Sequence, residues 1–78
     1  MIRRDLTDLL AVLDHQVQEG ERTIARQLEI IELLERGGRD LTEAKELLRS
    51  FQELQELHIS HRDQIRADIA RVTATPAE

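Results

Sequence analysis

The stretch "ERGGRD", Glu35 to Asp40, decides the fold of this 78-residue chain. Gly37 and Gly38 can take the left-handed backbone conformation that stops a helix and gives its last carbonyls partners. Asp40 then reads as an N-cap, with Glu43 three residues on completing a variant capping box. One helix is therefore expected to end at about residue 36 and a second to start at about residue 40. The linker between them, Gly37 to Arg39, is so short that the second helix must run back along the first.

Upstream of the turn, Leu6, Leu10, Leu13, Val17, Gly20, Ile24, Gln27, Ile31 and Leu34 recur at steps of four and three. That spacing is one stripe of a helix over about 5–36. Downstream, Leu41, Ala44, Leu48, Phe51, Gln55, His58, Arg62, Ile65, Ile69 and Val72 repeat it over about 40–72. The segment 73–78, "TATPAE", reads as a frayed tail, since Pro76 cannot continue a helix. The expected fold is all-α: an antiparallel helical hairpin forming a single domain over 1–78.

Both helices carry more aliphatic surface than one seam needs. Leu9, Val12, Leu28, Ile30 and Leu33 flank the first stripe, and Leu47, Leu54 and Leu57 flank the second. A hairpin buries only the strip where its helices touch, so these side chains call for another surface. Pairing two hairpins into a four-helix bundle supplies it, with Leu9, Ile30, Leu33, Leu47 and Leu54 as the expected dimer interface.

Composition points the same way. A chain this short rarely stabilises itself from its own core, and without cysteine it has neither a disulfide nor a Cys-x-x-Cys zinc site. Association is the remaining means. The net charge of −5 and the single aromatic, Phe51, leave no basic face for phosphates and no platforms for stacking bases, so nucleic acid is not expected as a partner. The run "LLAVL" is too short to span a bilayer and is broken by Asp5, Asp8 and Asp14 around it, so no membrane partner is expected and a cytoplasmic location follows.

The polar interruptions of the two stripes fall together. If the turn is centred on Gly38, residue i of the first helix lies level with about 77 − i of the second, from a common rise per residue. Gly20 then sits beside His58 and Val17 beside His61, with Asp14 and His15 near Arg62 and Asp63. Gly20 costs its helix about 1 kcal/mol relative to alanine, and room for His58 is the simplest reason to keep it. Gly20, Gln27, Gln55, His58 and Arg62 are expected to form a hydrogen-bonded layer that fixes register.

The chemical alternative is a metal site at His58 and His61, one turn apart, joined by His15, Glu19 or Glu21. The Glu-x-x-His pairs of di-iron bundles are absent, because Gln55 stands three residues before His58. No metal or other cofactor is expected. The triplet His61-Arg62-Asp63 matches the kinase catalytic loop but falls within a helix of a chain far too short for a kinase. "ISHRDQIRADI" is faintly similar to the phosphoacceptor box of sensor histidine kinases. Arg62 replaces the acidic residue that follows the histidine there, no proline comes a turn later, and His61 is on the second helix rather than the first.

Gly20-Glu21, Arg26-Gln27, Ile30-Ile31, Gly37-Gly38 and His61-Arg62-Asp63 lie within His15 to Ile65. In these features the chain resembles a family of short, uncharacterised helical-hairpin proteins from proteobacteria. The resemblance implies the hairpin fold and contributes nothing to mechanism. With no nucleophile–base arrangement and no pocket for an oxyanion, an enzyme is not expected. The functions expected are a homodimeric interaction or scaffold module, a metal- or pH-responsive regulator using His58 and His61, or an adaptor or antagonist that lends its apolar face to another protein.

Overall fold

The computed structural model describes residues 2–74, with side chains from Arg4 onward. Two long helices pack against each other: α1 spans Ile2–Arg36 and α2 spans Thr42–Ala74. The Cα atoms extend over 65 × 14 × 13 Å. The radius of gyration is 18.0 Å, against roughly 11.5 Å for a compact domain of this length. The hairpin is a thin rod, and no described helix is long and apolar enough to cross a membrane.

The glycines close α1 as their backbone freedom allows. Gly38 has φ +67°, its N–H donates to Glu35 O at 3.1 Å, and the Arg39 N–H donates to Leu34 O at 2.9 Å. These two bonds make a Schellman motif, which satisfies carbonyls that the helix end would otherwise leave open. Gly37 is different: a methyl group there would meet only ordinary contacts, the nearest being Leu33 O at 3.6 Å.

The start of α2 departs from the sequence expectation. The helix begins at Thr42 rather than at about residue 40, so the connection covers residues 37–41. Asp40 does accept at the helix start, but from Thr42 alone: the Thr42 N–H at 3.0 Å and the Thr42 hydroxyl at 2.8 Å. Thr42 thus takes the part expected of Glu43. Both bonds favour the ionised carboxylate, the backbone one most, and hold Asp40 below its ordinary value of 3.8.

The stripes form the seam as expected. Leu13 and Val17, 3% exposed, are buried, and the other stripe residues from Leu6 to Leu34 and from Leu41 to Ile69 are buried or half-buried. Val72 is the exception. It is exposed because it stands level with the first turn of α1, where little of the opposite helix remains. The outer ends also differ from expectation: α1 starts at Ile2 rather than about residue 5, with Asp5 in its first turn suited to the helix dipole, and α2 continues to Ala74 rather than about residue 72. Of the expected tail, residues 75–78 lie outside the described residues.

Two outcomes are expected at the turn. Gly38→Ala lowers stability in a urea melt by about 1–2 kcal/mol, because an L side chain must hold a left-handed conformation, while Gly37→Ala is neutral or gains up to about 1 kcal/mol. The second outcome concerns pH. Because the folded value of Asp40 is depressed, the unfolded chain takes up the proton first as pH falls. The stability Asp40 contributes is complete above its ordinary value and is lost as pH drops through the lowered one. Urea midpoints of the native chain and Asp40→Ala therefore differ most above about pH 5 and converge toward pH 2. A gap that is constant across this range would rule out the carboxylate as the capping group.

Candidate functional site: an amide in the seam and an apolar face

Glutamine at a seam position must find partners on the opposite helix, because the apolar stripe offers none. Gln55 is 8% exposed, and its Nε2 donates to Val17 O across the hairpin at 2.8 Å. Gln27, also buried, donates in the same way to Ala44 O at 2.9 Å. Each uses the second lone pair of a helix carbonyl, and such a bond is worth about 0.5–1.5 kcal/mol net.

Gly20 faces Gln55, not His58. A Cβ built on Gly20 would overlap Gln55 Oε1 and come within 2.7 Å of Gln55 Cδ. The missing methyl is therefore the space in which the Gln55 amide lies. The expected level rule placed His58 here because it gave residues 40 and 41 the rise of a helix. Outside the helix a residue advances further than 1.5 Å, which moves α2 outward by about two residues. Asp14 pairs with Arg66 at 3.4 Å, rather than with Arg62 or Asp63, because the long arginine side chain leans toward the N-terminus of its own helix and so reaches back along the rod toward the turn.

The expected single polar layer is thus two separate amide bonds. Arg62 is half-buried, but its guanidinium turns to its neighbour Asp63 at 3.2 Å and makes no bond to α1. His58 is half-buried, with a buried Nδ1 that has no partner, and Gln55 Oε1 is likewise buried and unpartnered. Both residues border a groove of about 300 Å³ over Gly20, together with His15, Gln16, Glu19, Thr23, Phe51 and Leu54. His15 reaches this groove although it lies off the stripe, whereas His61 is exposed and does not line it. Among the described residues no group of three or more His, Asp or Glu side chains is placed to hold a metal ion.

The groove opens on one side of the hairpin, and so does most of the aliphatic surface. All eight flanking aliphatics singled out in the sequence are exposed, from Ile30 at 40% to Leu57 at 64%. Leu9 and Ile30 each precede a stripe residue of α1, and Leu47 and Leu54 each precede one of α2. In an antiparallel pair those positions lie on the same side of the seam. Ile30 and Leu47 accordingly line a second groove near the turn, and Val12, Leu33 and Leu57 extend the same side outward. The opposite side carries the Asp14–Arg66 ion pair, with Leu28 and Ile59 as its aliphatic members.

A double-mutant cycle tests the pairing of Gly20 with Gln55. Gly20→Ala alone is expected to lower stability by about 1–2 kcal/mol, since displacing a buried amide outweighs the helix propensity gained. In a Gln55→Ala background the same change should stabilise by up to about 1 kcal/mol. If Gly20→Ala has the same sign in both backgrounds, the two residues do not share this space.

No protein-family model, curated protein or solved structure matches this chain, so what the site does rests on its own geometry.

Proposed function

We propose that this chain is a non-enzymatic interaction or scaffold module that works as a homodimer, two hairpins closing into an antiparallel four-helix bundle through the aliphatic side described above. The reading rests on surface area. The chain exposes 6314 Å², roughly 1,500 Å² more than a compact monomer of its mass would. A stable interface takes about 800 Å² from each partner. The excess therefore covers what a dimer needs, and Leu9, Ile30, Leu33, Leu47 and Leu54 on one side give it the apolar character of an obligate interface.

The bundle needs no cofactor, and the acidic balance of the chain argues against a nucleic-acid partner. We place its work in the cytoplasm, as a rod that holds or spaces whatever is attached to it. An adaptor role would use the same side for a different protein. The second copy is preferred because it is always present at matching concentration and needs no further component.

Sedimentation equilibrium at micromolar concentration is expected to give twice the 9.0 kDa chain mass, with a melting temperature that rises with concentration. Leu47→Glu should weaken the dimer roughly a hundredfold or more, equivalent to about 3 kcal/mol for burying an unpaired charge. A monomer with a sharp, concentration-independent transition would end this reading.

A further inference from the structure

We infer that the two hairpins of the dimer lie with their turns at opposite ends, related by a twofold axis that crosses the rod at the level of the groove over Gly20. This rests on the dimer proposed above and fixes its arrangement. Two face-to-face hairpins have two symmetric choices. The axis can run along the rod, which puts the turns together and α1 over the partner's α2. It can instead run across the rod, which puts the turns apart and each helix over its own copy.

The order of side chains along the aliphatic side separates them. Along α1 that side reads Leu9, Val12, Gln16, Glu19, Thr23, Arg26, Ile30, Leu33. The order is a palindrome about residue 21: two aliphatics, four polar residues, two aliphatics. With the axis across the rod at that level, Leu9 meets the partner's Leu33 and Val12 meets the partner's Ile30. Glu19 comes within one helical turn of the partner's Arg26, so the only charges on this part of the face are of opposite sign. On α2, Leu54 stands at the same level as residue 21 and meets the partner's Leu54, while Leu57 comes over the partner's Phe51 and Leu47 over the partner's His61.

The other choice mismatches the same residues. Leu9 and Val12 would lie over the partner's His61, the partner's Gln64 and the partner's Asp68. Leu54 and Leu57 would lie over the partner's Gln16 and the partner's Glu19. Leu9, Val12 and Leu54 would be spent on charged and strongly hydrated groups, whereas the crosswise axis gives all three an aliphatic partner and leaves only Leu47 of these residues over a polar one, the partner's His61.

The groove is a second, independent observation. Gln55 Oε1 and His58 Nδ1 are buried without partners beside Gly20, one residue from the pivot of the palindrome. A crosswise axis brings the two grooves edge to edge at mid-rod. The acceptor that its own chain leaves open then faces the hydroxyl donor of the partner's Thr23, which this axis sets level with residue 19. The site over Gly20 is complete only in the assembled bundle.

The chain has no cysteine, so Glu35→Cys, on an exposed position near the turn, gives one spin label per chain. Dipolar distance measurement on the dimer is expected to give about 45 Å, from the axial rise of the residues between position 35 and the axis and the width of the bundle. A distance of about 25 Å would mean that the turns lie together and would overturn this arrangement while leaving the dimer intact. Sedimentation of the labelled protein as a monomer would remove the dimer itself, so the two failures are distinguishable.

Discussion

Two helices in contact can each cover only one strip of the other, and this limit governs the molecule. Among the described residues only Leu13 and Val17 form a buried apolar core, while nine large aliphatics stay exposed. Hydrophobic burial scales with the area removed from water, so a seam this narrow is a weak source of stability. The turn, the seam amides and the one-sided aliphatic surface can all be understood as responses to that shortage. The turn aligns the stripes, the amides set their register, and the side surface holds aliphatic area that the seam leaves in water.

The seam amides show what register requires. An all-aliphatic seam would tolerate slippage by a heptad, because one leucine resembles the next. Gln55 cannot slip: its donor needs the Val17 carbonyl and its bulk needs the gap at Gly20. The cost is a buried carbonyl without a partner in the single chain, of the order of 1–3 kcal/mol. Such a group is tolerated where specificity matters more than stability, as with polar residues at coiled-coil seams.

Much of the fold was legible because helix periodicity and turn chemistry are local properties. The stripes from Leu6 to Leu34 and from Leu41 to Ile69, the left-handed glycine and the eight exposed aliphatics all follow from spacing along the chain. What failed was the level of one helix against the other, which depends on how far residues 39 to 41 advance outside a helix. A shift of about two residues sufficed to replace His58 by Gln55 opposite Gly20. The groove was less legible still. It arises from the close approach of an amide to a bare backbone and from His15 reaching in from outside the stripe, and neither follows from periodicity.

The geometry of the turn also sets the order in which the rod comes apart. Leu34 and Leu41 are near neighbours in sequence, whereas Leu6 and Ile69 stand level only after almost the whole chain has been folded back. Closing the long loop between distant residues in one step costs more entropy than adding a contact beside one already made, so the rod closes from Gly38 outward and opens first at its free ends. The hairpin is in this sense a zipper with one fixed end. Changes near Gly38 and Asp40 bear on how fast it closes, changes near Leu6 and Ile69 on how readily it frays, and the Gly20–Gln55 contact is the catch halfway along.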